Sequence, residues 1–103
     1  MDKIEQKICD IIDAHRDELI AFGEDLWTHA ELGFQEFRTA EKFAEKMKGL
    51  GLRTQEGLAV TGVKSYLKDD AHGPTVCLMG EFDGLPIPTH AYANPETGAA
   101  LCC

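Results

Sequence analysis

The stretch that most constrains this chain is a short apolar run, Thr75-Val76-Cys77-Leu78-Met79, leading directly into Gly80-Glu81-Phe82-Asp83-Gly84. A run of this length without alternation, closed by glycines, is the pattern of a strand covered on both faces, as in parallel sheets. It predicts a central strand over Val76 to Gly80 in an α/β fold, with amphipathic helices packed on a mixed sheet. In open α/β sheets, ligand crevices form at the carboxyl ends of strands. Glu81 and Asp83 stand at that end, which makes them candidates for metal or substrate work. Acidic turns also follow strands simply as solvated connections, and position alone does not separate the two readings.

The helices that would cover such a sheet are legible upstream. From Asp2 to about His29, the residues Ile4, Ile8, Ile11, Ile12, His15, Leu19, Phe22 and Leu26 recur at spacings of three and four, one apolar stripe on one long helix. The acidic residues between them read as a solvated face, and His15 reads as a packing residue beside the stripe. A second helix spans Glu36 to Leu50 on Phe37, Ala40, Phe43, Ala44, Met47 and Leu50. Gly49 or Gly51 closes it in a left-handed cap, and Lys42, Lys46 and Lys48 suit its carboxyl end. Leu52 to Glu56 and Val60 to Lys68 read as short strands, the latter half-exposed and nearer a sheet edge. Asp69, Asp70, His72, Gly73 and Pro74 form the turn into the central strand.

Charge and cysteine usage narrow the setting. The net charge of −8 argues against nucleic acid and anionic membranes as partners. No apolar run reaches the roughly 18 residues a membrane span needs, and the opening residues lack a secretory pattern. Cys9 and Cys77 lie in helical and strand patterns, where free cysteine acts as a small hydrophobe. Cys102 and Cys103 are neighbours that bond to each other only with strain. Together they indicate reduced thiols and a cytoplasmic protein. A redox role for the adjacent pair is the weakest reading, since redox cysteines favour Cys-x-x-Cys spacing.

The connection from Asp83 to the cysteine pair is too long for an ordinary strand connection, which suggests a functional loop. Pro86, Pro88 and Pro95 stiffen it, and Gly98-Ala99-Ala100 supplies small residues for close backbone approach. His90 lies in this loop and carries no assignment.

These stretches resemble a known family. GEFDGLPIP, followed by a loop and PETGAALCC, looks like the amino-terminal part of the M20 metallopeptidase and amidohydrolase family, in the subgroup that cleaves N-acyl amino acids and aromatic amides such as aminobenzoyl-glutamate. Glu81, Asp83, Gly84, Leu85 and Pro86 match its acidic-x-Asp-Ala-Leu-Pro segment, with Gly84 in place of alanine. Thr97 to Cys103 match a Thr-Gly-Ala-Ala-x-x-Cys-Gly-His segment up to its cysteine. Trp27, His29, Glu31, Leu32, Gly33, Glu36 and Thr39 match a further run between the family's first two helices, with Ala30 replacing its proline. Acidic residues around a helix start cap backbone N–H groups, so His29, Glu31 and Glu36 are read as structural rather than metal-binding.

The resemblance implies a zinc-peptidase-like catalytic domain of which residues 1–103 form the amino-terminal part. It implies an amidohydrolase acting on small N-acyl amino acids or aryl amides, with two divalent ions, zinc first and manganese, cobalt or nickel as substitutes, and assembly as a homo-oligomer. It places Cys103, rather than Cys102, as a metal ligand, Asp83 beside the metal shell, and Glu81 at the site's edge. Catalytic zinc takes about three protein ligands, so the other ligands and the general base would come from elsewhere. The chain by itself is expected to be inactive. The alternative is a non-catalytic module that binds a metal or a partner through the terminal cysteines.

Overall fold

The computed structural model describes residues 1–68, 70 and 72–101. It has the α/β class expected, with three helices and two small antiparallel sheets. The first helical stretch is divided. α1 runs Lys3–Ala14 and α2 runs Arg16–Thr28, with His15 between them at φ −103 and ψ 10. α1 starts on a capping box: Asp2 Oδ1 accepts from the Ile4 and Glu5 amides at 2.7 and 2.9 Å, and Glu5 Oε2 accepts from the Asp2 amide at 2.7 Å.

The single long helix expected is therefore two, and two further expectations about this stretch fail. The isoleucine stripe of α1 is exposed throughout, because no described element packs against it. His15 is exposed at the break and faces Glu18 at 3.3 Å, so it is not a packing residue.

α3, Phe37–Gly49, is followed by Gly51 at φ +77, the left-handed position that glycine adopts most readily. It packs on an antiparallel hairpin of β1, Arg53–Leu58, and β2, Gly62–Tyr66. Thr54 pairs with Ser65 across the ladder, and their hydroxyls meet at 2.9 Å. The hairpin can close only because position 62 is glycine. A β-carbon there would lie 2.5 Å from the Leu58 carbonyl oxygen.

The predicted central strand over Val76 to Gly80 does not form. None of these residues belongs to a sheet, and Val76, Leu78 and Met79 are 88%, 99% and 90% exposed. The reason is physical. An apolar run becomes a strand only where neighbours supply ladder hydrogen bonds and cover both faces. Here β1 and β2 pair with each other and leave it no partner among the described residues. Cys77, read as a covered strand residue, is exposed, as is Cys9; both are free thiols. No described helix is long and apolar enough to cross a membrane.

The pieces are joined by aromatic contacts and a junction of small residues. Phe22 of α2, Phe43 of α3 and Phe82 of the acidic turn form a chain of rings, with centroids 6.3 and 5.1 Å apart. Among the described residues the buried apolar side chains are all alanines: Ala30, Ala44, Ala99 and Ala100. Ala99–Ala100 forms β4, which pairs antiparallel with β3, Leu85–Pro86. Three of those alanines therefore lie close to the acidic turn and not under a broad sheet.

Candidate functional site

Gly84 is where the distant segments meet. Its amide donates to the Glu31 carbonyl at 2.7 Å, and it bridges to Leu32 in parallel register. Its own strand continues into β3, which holds β4. A β-carbon at position 84 would come within 3.1 Å of the Ala99 Cβ, 3.2 Å of the Ala100 carbonyl oxygen and 3.3 Å of the Ala30 Cβ. All three neighbours are buried. The close approach expected at the Gly98-Ala99-Ala100 stretch is therefore present, and Gly84 is the residue being approached.

Glu81 and Asp83, the two candidate acids, lie just before this junction. Both are exposed, and neither has a hydrogen-bond partner among the described residues. Asp83 lines an open cleft of about 450 Å³ with Gly33, Phe34, Glu36, Thr61 and Phe82 among its walls. Glu36 is 7% exposed there, and its Oε2 accepts from the Thr61 hydroxyl at 2.7 Å. That bond ties the start of α3 to the start of β2. The cleft thus has an acidic rim at Asp83 and a floor whose carboxylate is already engaged.

Glu31 is engaged as well. Its Oε2 accepts from the Arg38 amide at 3.1 Å, and its Oε1 accepts from the Thr39 amide and hydroxyl, each at 2.7 Å. It therefore caps α3 from outside the helix, while Glu36 occupies the cap position without a side-chain cap bond. The capping expectation holds for Glu31. Glu36 serves the same boundary through Thr61.

His29 Nδ1 lies 2.8 Å from the Asp25 carbonyl oxygen and 3.1 Å from the Thr28 hydroxyl, at the carboxyl end of α2. His72 is exposed. His90 Nδ1 accepts from the Tyr92 amide at 3.2 Å. Among the described residues, no group of three histidine, cysteine, aspartate or glutamate side chains could hold a metal. Cys103, the expected ligand, and Cys102 lie outside the described residues.

An ion pair also links α2 to α3. Arg38 Nη2 donates to Asp25 Oδ1 at 2.7 Å, and this bond holds the Asp25 carboxyl below its ordinary range. Sequence reading assigned Asp25 only to a solvated face. Its partner lies thirteen residues away on the next helix, and no helical spacing reveals such a pair.

Three segments that carry the family resemblance, 30–32, 83–86 and 97–100, are thus in mutual contact. Comparison with known proteins agrees. The chain is 28% identical over 103 residues to YhaA of Bacillus subtilis (strain 168), named as a candidate amidohydrolase, covering 97% of this chain and 26% of that protein. It is 28% identical over 101 residues to an N-acyl-L-amino acid amidohydrolase of Geobacillus stearothermophilus, covering 95% of this chain and 27% of that protein. The sequence of this chain is similar to those of amidohydrolases. One of the polypeptides of the p-aminobenzoyl-glutamate hydrolase of Escherichia coli (strain K12) is 28% identical over 86 residues, 82% of this chain and 18% of that protein. The amidohydrolase-like chain spans about a quarter of the length of the first two of these proteins. No family model matches it, and no solved structure matches it.

Proposed function

We propose that this chain is the amino-terminal part of a metal-dependent amidohydrolase that cleaves the amide bond of N-acyl amino acids or aryl amides. The observation that carries the reading is the meeting at Gly84 of the acidic turn, the Glu31-Leu32 segment and β4. Sequence stretches far apart in the chain converge on one edge, as a site assembled from several loops requires. Relatives named for N-acyl amino acid and p-aminobenzoyl-glutamate hydrolysis support the substrate class.

The described residues do not by themselves fit a metal. Glu81 and Asp83 offer exposed oxygen donors, but a catalytic site needs about three protein ligands with an open position. On this reading Cys103 supplies a thiolate, and the remaining ligands and the glutamate base belong to a longer protein. A bound divalent ion in such a site supplies Lewis acidity and an activated water. What this chain contributes is the rigid edge: Gly84 docked on Glu31 and β4, with Asp83 facing the cleft. The whole protein is proposed to be a cytoplasmic homo-oligomer.

The test is to read the coding frame beyond Cys103 and assay the protein it encodes. N-acetyl amino acids and p-aminobenzoyl-glutamate would be supplied with zinc, manganese or cobalt, with a chelator control. Metal-dependent amide cleavage, lost on Cys103→Ser, is the expected result, and residues 1–103 alone should show none. Turnover by residues 1–103 alone would sink the division of labour. A stop codon after Cys103 would sink the enzyme reading for this product and leave the binding module.

A further inference from the structure

The loop leaving the acidic turn at Ile87 returns as β4, and one main-chain atom fixes its position. The Ala30 carbonyl oxygen accepts from Asn94 Nδ2 at 3.0 Å and from Thr97 Oγ1 at 2.6 Å. Those donors lie 64 and 67 residues further along the chain. Asn94 is 8% exposed, and its hydrogen-bonding groups are all engaged. Its Oδ1 accepts from the Glu96 amide at 3.0 Å, its amide donates to the Ala99 carbonyl at 2.8 Å, and its carbonyl accepts from the Gly98 amide at 2.8 Å. Thr97 Oγ1 in turn accepts from the Ala99 amide at 3.2 Å.

We propose that Asn94 and Thr97 are positioning residues: clamped on the Ala30 carbonyl, they set the register of β4 against the acidic turn. Among the described residues the loop's other hydrogen bonds are local ones, Ile87 to Leu85, His90 to Ile87, Tyr92 to His90 and Ala93 to His90, and these survive if the loop moves as a body. Its long-range restraints among the described residues include the two-residue pairing of β3 with β4 and the contact of Tyr92 with Trp27, ring centroids 4.8 Å apart. Two residue pairs make a marginal ladder without further support. A carbonyl with both lone pairs engaged, here by buried Asn94 and half-buried Thr97, is a directional anchor, and losing either donor leaves it under-satisfied. The α3–hairpin unit shares none of these bonds, so the clamp governs the site edge and not the whole fold. Its importance for catalysis rests on the function proposed above; the clamp itself does not.

The 103-residue chain is sufficient for the test. Thr97→Val removes the hydroxyl at nearly constant volume, Thr97→Ser keeps it, and Asn94→Ala removes the second donor. Amide exchange at Gly84 and Ala99 should quicken about tenfold or more in Thr97→Val and in Asn94→Ala, as loss of a buried hydrogen bond predicts. Emission of Trp27, the chain's single tryptophan, should shift as Tyr92 leaves it. Thr97→Ser should restore both readouts, while the Leu50 amide at the end of α3 exchanges as in the wild type. Unchanged exchange at Gly84 and Ala99 would overturn the clamp. So would equal acceleration at Leu50, which would mark general destabilisation. A clamp that passes while the longer protein shows no amide hydrolysis would refute the function alone.

Discussion

Glu31 shows how far one side chain can determine a boundary. It lies outside α3, yet its carboxylate takes two of the helix's first amides and a hydroxyl, so it both caps α3 and favours its dipole. Glu31→Ala should cost about 1–2 kcal/mol, read as a lower urea midpoint at unchanged slope. At Gly84 the neighbours are buried backbone and alanine, with little freedom to yield. Gly84→Ala should therefore destabilise by about 1 kcal/mol or more, overcoming the chain-entropy gain that alanine brings. Asp25 sets a pH dependence. Arg38 lowers its folded-state pKa, so its contribution is fully present above the unfolded value of about 3.9 and is lost as pH falls through the folded value. The gap in urea midpoint between wild type and Asp25→Asn should be constant near neutrality and close below about pH 4. A gap that persists at pH 2 would contradict the ion-pair account.

At the scale of elements, what was legible depended on whether a signal was local. The helical stripes, the left-handed cap at Gly51 and the two short strands follow from spacing and turn chemistry, and all are present. The break at His15 has no glycine or proline to announce it. The strand over Val76 to Gly80 failed because its pattern requires partners, which composition cannot supply. The site divides the same way. Glu81 and Asp83 were read at the end of a strand that does not form, and the clamp on Ala30 joins residues more than sixty positions apart and was invisible. The hairpin tip also hid its strain. Ala59 and Val60 have φ of +46 and +83, and a β-branched residue is poorly suited to that region. Val60→Gly should therefore stabilise the chain by about 1 kcal/mol, since the exposed valine side chain contributes little packing. Thermal unfolding checks the sign, and a lower midpoint would show that the valine packs more than its exposure implies.

At the scale of the whole molecule, the apolar surface lies on the wrong side of the boundary. Large side chains of α1 and of the 76–79 run face solvent, while the buried apolar residues among those described are alanines. A surface of this kind marks an interaction face in a soluble protein, and the relatives extend well beyond the portion this chain covers. Leu78 separates the two contexts. At 99% exposed it makes almost no contact here, so Leu78→Glu should leave the stability of residues 1–103 within about 0.5 kcal/mol of wild type. The same change should reduce self-association, because an unpaired apolar run is a template for a second chain despite the net charge of −8. Light scattering over a concentration series would show the wild type growing in mass and the variant remaining monomeric. In the longer protein proposed above, the run would be a covered strand, and burying a charge there should cost several kcal/mol or prevent folding. A substitution silent in the short chain and severe in the long one would identify the missing cover as the remainder of the same polypeptide. Equal tolerance in both would mean that the run is surface in either setting.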